Sequence, residues 1–205
     1  MITIVDYDAG NIKSVQRACQ EAGAASQLSK DPDEITQAER IIFPGVGAAQ
    51  SAMDSLKASG LDQALRTAFE KGIPILGICI GAQIVLERSE EGDQECLGLV
   101  PGATIRFQLT DPSLKVPHMG WNDVEVLKPH PLLQGIEKGD KFYFVHSYYP
   151  NPSDSEHIYG VAHYEKPFCC ALGYKNLFAT QFHPEKSGRF GLRILEHFVN
   201  WNGQN

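Results

Sequence analysis

Gly77-Ile78-Cys79-Ile80-Gly81 stands where the apolar run Ile73-Pro74-Ile75-Leu76 gives way to Gln83-Ile84-Val85-Leu86. The order predicts a strand, a sharp turn and then a helix, with one cysteine on a nucleophile elbow. Glycines on both sides suit such a turn, because the strained backbone brings neighbouring chain close to the nucleophile, where any Cβ would clash. A thiol at a helix N-terminus meets free backbone N–H groups and the positive end of the helix dipole, which favour thiolate. The N–H that follows it is free to meet an oxyanion. By itself the motif also fits a core cysteine beside a tight turn, so other residues must decide.

An elbow needs a sheet beneath it, and the first two-thirds of the chain supplies one by alternating β-branched or apolar runs with helical periods. That alternation is the signature of a parallel sheet covered by helices. Ile2 to Asp6 reads as a buried strand, and Ile12, Val15, Ala18, Cys19 and Ala22 repeat at helical spacing until Gly23 stops the helix. A weak strand follows near Gln27-Leu28-Ser29. Ile41-Ile42-Phe43 is a strong one ending in Pro44-Gly45-Val46-Gly47, and Leu61, Leu65, Ala68 and Phe69 mark a helix closing at Gly72. Beyond the elbow, glycines and prolines punctuate short alternating runs such as Ala103 to Phe107 and Asp123 to Leu127, which predict antiparallel strands and loops added to the sheet. Lys141 to His146 and Phe178 to Phe182 are further strands, and Leu192, Leu195, Phe198 and Val199 form the face of a closing helix. No linker or repeat divides the chain, so residues 1–205 are expected to form a single domain.

With 205 residues, 42% of them hydrophobic, such a chain can bury roughly 70% of its unfolded surface and needs no staples. The formal charge of -7, with no basic stretch, argues against a nucleic-acid or anionic-membrane partner. No apolar stretch is long enough to cross a bilayer and the start lacks a basic-then-apolar leader, which reads as cytoplasmic. Five scattered cysteines form neither a C-x-x-C metal pattern nor a secreted disulfide framework. Reduced thiols are expected, with Cys19, Cys96, Cys169 and Cys170 in structural roles, and no metal or organic cofactor is called for.

A cysteine nucleophile needs a base for its proton and a third group to orient that base. His183-Pro184-Glu185 offers both just past a strand end, where open α/β sheets gather their ligand-binding residues. Proline fixes the local backbone so that the Glu185 carboxylate can turn back toward the imidazole and stabilise the imidazolium. Gly45 and Gly47, after their strand, leave backbone N–H groups unhindered for an oxyanion beside that of Ile80.

With these three segments in this order across nearly the whole chain, the sequence resembles the triad, class I glutamine amidotransferases. Asp6-Tyr7 with Gly10-Asn11, Val116-Pro117-His118-Met119-Gly120-Trp121-Asn122, His146-Ser147-Tyr148-Tyr149 and Thr180 to Gly188 narrow the resemblance to the glutaminase subunits of histidine biosynthesis. The Pro117 to Asn122 run discriminates most. Departures from the usual pattern stand at Ile80, Ala82 and Asp8, where Leu, Met and Gly are usual.

The resemblance implies a flavodoxin-like class I amidotransferase fold, a central mostly parallel sheet with helices on both faces and added antiparallel strands. It implies that Cys79, His183 and Glu185 hydrolyse glutamine to glutamate and ammonia, while Gln83, Ser147 and Tyr148 help hold the amino-acid end of the substrate. It also implies a separate (β/α)₈ cyclase subunit that takes up the ammonia to make imidazole glycerol phosphate. Trp121, with Asn11 and Lys186, is expected to face that partner. Two other classes of reading stand beside this one: a free-standing cysteine hydrolase of similar fold, and a non-catalytic binding module.

Overall fold

In the computed structural model, residues 1–8 and 10–204 are described. The chain opens with β1 (Ile2–Val5), α1 (Ile12–Glu21), β2 (Ser26–Ser29), α2 (Pro32–Thr36) and β3 (Arg40–Gly45). Helices α3 (Ala49–Ser59) and α4 (Leu61–Glu70) then lead to β4 (Ile75–Cys79) and the short α5 (Ile80–Ile84). Strands β1 and β4 are buried along their whole length, as β-branched and apolar runs at the centre of an α/β sheet must be.

Helix α3 is an element that the apolar pattern of the sequence does not announce. Its residues Ala49, Ala52, Met53 and Leu56 recur at helical spacing and are all buried, so a signal exists but is weakened by alanines. Gly60 ends it at φ 73°, a left-handed residue shared with the start of α4.

The second half adds β5 (Arg88–Ser89), β6 (Gln94–Glu95), β7 (Gly102–Arg106), β8 (His118–Asp123), β9 (Glu125–Val126), β10 (Lys141–His146) and β11 (Tyr148–Pro152). It closes with β12 (Ile158–Tyr164), β13 (Lys166–Tyr174), β14 (Leu177–Thr180) and α6 (Gly188–Asn200). The eight-stranded main sheet has the order β2-β1-β3-β4-β14-β13-β12-β9. The first five of these are parallel in the flavodoxin-like order, and the last three continue antiparallel.

The added strands do not all extend this sheet, contrary to the expectation from sequence. Strands β8 and β10 form a separate two-stranded ribbon, and β11-β7-β5-β6 a third small sheet. Gly102, at φ 135°, begins β7 where the backbone of Asn151 and Pro152 on the paired β11 leaves no room for a Cβ. Two apolar cores cover the opposite faces of the main sheet. One holds Phe142, Phe178, Phe182 and Phe198, and the other Phe43, Met53, Leu56 and Leu65.

The topology brings distant chemistry together. β4 and β14 are parallel neighbours with Ile78 opposite Thr180, so both carboxyl ends open on the same edge. Cys79 ends the first and His183 follows the second.

Candidate active site

Cys79 is held at φ 56°, ψ −106°, an uncommon conformation for a residue with a side chain. Its neighbours explain how the turn closes. A Cβ on Gly77 would lie 2.9 Å from both the Ala179 Cβ and the Gly81 carbonyl oxygen, and one on Gly81 would overlap the Phe43 carbonyl oxygen. The elbow predicted from the sequence is therefore present and its glycines are dictated by close approach. The helix is not as expected: α5 starts at Ile80 and ends at Ile84, ahead of Val85 and Leu86. So short a helix acts on the thiol through its first free N–H groups rather than through a long aligned dipole.

His183 Nδ1 lies 2.7 Å from Glu185 Oε1, and both side chains are almost wholly buried. With the carboxylate as acceptor, the Nδ1 proton is fixed, and the buried Nε2 is left on the side of Cys79. Burial works against the imidazolium. The hydrogen-bonding and charge of Cys79 and Glu185 outweigh it and push the His183 pKa up to about 9.

Asn11 is used in a way the sequence does not suggest. It sits at φ 78° ahead of α1 and turns its side chain inward, where Nδ2 donates to Glu185 Oε1 at 2.6 Å. One carboxylate oxygen thus receives both His183 and Asn11. The amide expected at a partner surface is spent inside on the carboxylate.

Cys79 opens into a pocket of about 250 Å³ lined by Val46, Gly47, Cys79, Ile80, Gln83, Glu91, Pro117, Val145, His146, Ser147, Tyr148 and His183. That is smaller than the roughly 300–1,000 Å³ of sites for drug-sized ligands and suits an amino acid. Gly47, Ile80, Gln83, Ser147 and Tyr148 all line it as expected, but Gly45 does not. Gly45 is buried opposite Cys79 in the β3–β4 ladder, and a Cβ there would overlap the Tyr7 hydroxyl and come within 3.0 Å of the Ile80 Cβ. Its glycine serves packing under the elbow, and Val46 takes its place on the wall. Gly47, at φ 103° and exposed, has the freedom expected of a turn that can reorient a peptide.

Glu91, which no sequence motif marks, brings a carboxylate to the pocket, where Oε2 also accepts from the Ala49 N–H at 2.7 Å. Gln181, in the sequence only one member of the Thr180 to Gly188 run, is fully buried and donates to Cys79 Sγ at 3.7 Å. An amide side chain directly after an apolar strand, ahead of Phe182, is the available signal.

Beside the pocket, Trp121 is 55% exposed and Met119 64%. Strand pairing places Trp121 opposite Tyr143, ring centroids 6.0 Å apart, and the Lys186 Nζ lies 5.6 Å from the centre of the same tyrosine. Trp121 and Lys186 therefore belong to one surface patch, and Asn11 lies behind Glu185. The Asp8 departure falls at φ 64°, a conformation glycine adopts freely, and the Asp8 carboxylate pairs with Lys30. Among the described residues, no group of three or more His, Cys, Asp or Glu side chains is arranged to hold a metal ion. No helix among them is long and apolar enough to cross a membrane.

Comparison with known proteins agrees with this architecture. The family model "Glutamine amidotransferase class-I" matches residues 3–201. The imidazole glycerol phosphate synthase subunit HisH of Thiobacillus denitrificans is 47% identical over 209 residues, covering 98% of this chain and 91% of that protein. Its counterpart in Neisseria gonorrhoeae is 48% identical over 209 residues, covering 97% of this chain and 98% of that protein. Among solved structures, a putative GMP synthase protein from Thermoplasma acidophilum matches with a TM-score of 0.73 at 20% identity, covering 97% of this chain and 92% of that one. PurLQS from Thermotoga maritima matches with a TM-score of 0.73 at 20% identity, covering 97% of both chains. At those identities the structures speak to the fold alone. The chain belongs to the class-I glutamine amidotransferases and, within them, to the family of the HisH subunits of imidazole glycerol phosphate synthase.

Proposed function

We propose that the chain, as a single domain, hydrolyses glutamine with Cys79, His183 and Glu185 and passes the ammonia to a (β/α)₈ cyclase subunit in histidine biosynthesis. The observation that carries the chemistry is the buried relay at the elbow, with Glu185 on His183 Nδ1 and with His183 and Cys79 lining one pocket. With its raised pKa, His183 already holds the thiol proton, and Sγ attacks the side-chain amide carbon of glutamine as the thiolate. The oxyanion forms at the Ile80 N–H and the wall built by Val46 and Gly47. His183 then protonates the departing ammonia and activates water against the thioester, and Glu185 balances its charge at each stage.

The polar residues of the pocket wall suit the amino-acid head of the substrate. Glu91 can receive the α-ammonium, and Gln83, Ser147 and Tyr148 supply polar groups that orient without competing as nucleophiles. The Trp121–Tyr143–Lys186 patch next to the site supports a docked partner, since an exposed tryptophan and methionine beside an active site are more fitting as an interface than as free surface. Five free, buried cysteines are in keeping with a reducing compartment such as the cytoplasm, and the chemistry calls on no metal or organic cofactor.

Glutamate release by the chain, with and without the cyclase and its nucleotide substrate, tests the reading. Release that rises on adding both, and vanishes in Cys79→Ser, supports it. Cysteine-dependent hydrolysis of other amides or esters, with no response to the cyclase, would favour a free-standing hydrolase instead.

A further inference from the structure

A buried run of hydrogen bonds that the triad does not use ends on the nucleophile. It starts at Asn122, whose Nδ2 donates to the His163 carbonyl at 2.9 Å and lies 3.3 Å from His118 Nε2. His118 Nδ1 is 3.0 Å from His146 Nε2, and His146 Nδ1 is 2.8 Å from the Tyr148 carbonyl oxygen. Gln83 Nε2 donates to the same carbonyl at 2.9 Å and to Gln181 Oε1 at 3.0 Å. Gln181 Nε2 then donates to Cys79 Sγ at 3.7 Å.

The polarity of this run is fixed at one atom. A backbone carbonyl only accepts, so the Tyr148 oxygen requires the proton of His146 on Nδ1. His146 Nε2 must then accept, which makes His118 donate from Nδ1 and accept from Asn122 at Nε2. On the other side, Gln83 must present its NH₂ to Tyr148. That makes the Gln181 oxygen an acceptor and turns the Gln181 NH₂ toward the sulfur. Burial lowers the pKa of His118 to about 4 and, with the neighbouring histidines adding to it against the Tyr148 hydrogen bond, that of His146 to about 3. Both stay neutral at physiological pH and the direction of the run is kept.

We propose that Gln181 is a further catalytic group, the fixed last donor of this run, which holds Cys79 Sγ as the thiolate while its proton passes to His183 Nε2. An amide N–H is far too weak an acid to return a proton to sulfur, so it steadies the thiolate without quenching it. The bond broken is S–H and the bond formed is H–Nε2 of His183; Gln181 keeps both of its protons. The other titratable groups around the sulfur are His183 with Glu185 behind it, the Tyr7 phenol from beyond β1, and Glu91 and His146 on the pocket wall.

The proposal rests on Cys79 being the nucleophile, so the test reads that thiol directly. Alkylation of Cys79 by iodoacetamide is followed across pH by mass spectrometry, alongside glutaminase kcat and KM in the complex with the cyclase. Gln181→Met, which removes the donor at similar length, should move the alkylation midpoint up by about one pH unit and lower kcat at least about tenfold, with KM within about threefold. Should Gln181→Met not fold, Gln181→Glu keeps an oxygen for Gln83, removes the donor and should shift in the same direction. Unchanged midpoint and kcat in a folded Gln181 variant would overturn the proposal alone. A wild-type Cys79 that resists alkylation at every pH would overturn the nucleophile reading and the proposal together.

Discussion

The side-chain amide of Asn11 donates to Glu185 Oε1 at 2.6 Å, the same oxygen that pairs with His183 Nδ1. Asn11 thereby fixes which way the buried carboxylate faces. Asn11→Ala is expected to lower glutaminase kcat by at least about tenfold, since a hydrogen bond to a charged group is worth about 1.5–3 kcal/mol. The measurement is kcat at saturating cyclase and nucleotide, where any loss of partner affinity no longer shows. Wild-type kcat under those conditions would leave Asn11 with an interface role only.

Glu185 should matter through charge and His183 through proton transfer. His183→Ala is expected to abolish turnover nearly as completely as Cys79→Ser, and Glu185→Gln to be milder because it keeps a hydrogen-bonding shape. Steady-state kcat of the three variants orders them. A Glu185→Gln enzyme as inactive as Cys79→Ser would overturn the orienting role.

The pH profile follows from the raised His183 value. A group whose pKa is raised on folding contributes stability that is fully present below its ordinary value, here 6.5, and lost as pH rises through about 9. In the proposed mechanism, the imidazolium that protonates departing ammonia is lost over the same window. Glutaminase kcat/KM should therefore fall on the alkaline side with a midpoint near 9, and Glu185→Gln, which removes one of the raising groups, should move that limb to lower pH. A limb that stays in place in Glu185→Gln would show that another group controls it.

Trp121, edge-on to Tyr143 and more than half exposed, is the residue proposed to anchor the partner. Trp121→Ala should weaken the complex with the cyclase by about tenfold or more, as loss of an aromatic hot spot does, or raise the share of ammonia that escapes to solvent. Calorimetry of the complex and the ratio of glutamate to cyclised product measure the two effects. Both at wild-type values would remove Trp121 from the interface.

Much of this is legible in the sequence because the strongest signals are local. Glycines around Cys79 mark a turn whose backbone approaches leave no room for a Cβ, and His183 and Glu185 are two residues apart. The parallel strand order brings them to Cys79 once β4 and β14 are neighbours. Less legible are features decided by tertiary packing. Gly45 has the sequence context of an oxyanion donor, but the Tyr7 hydroxyl and Ile80 fill the space a side chain would need, and Val46 lines the pocket instead. Asn11 and Gln181 meet Glu185 and Cys79 only across the fold, and no spacing announces such pairs. Helix α3 is hidden by its alanines, and the ribbon of β8 and β10 reads as part of the main sheet because strand patterning does not say which sheet a strand joins.

The central claim is that Cys79 attacks glutamine, and the acyl-enzyme tests it most directly. The chain, with cyclase and nucleotide, is mixed with glutamine, quenched in acid and digested, and the peptide holding Cys79 is weighed. A γ-glutamyl group on Cys79 is predicted, accumulating further in His183→Ala when an activated glutamine ester forces acylation. No acyl group on Cys79 while glutamate is still released would contradict the account.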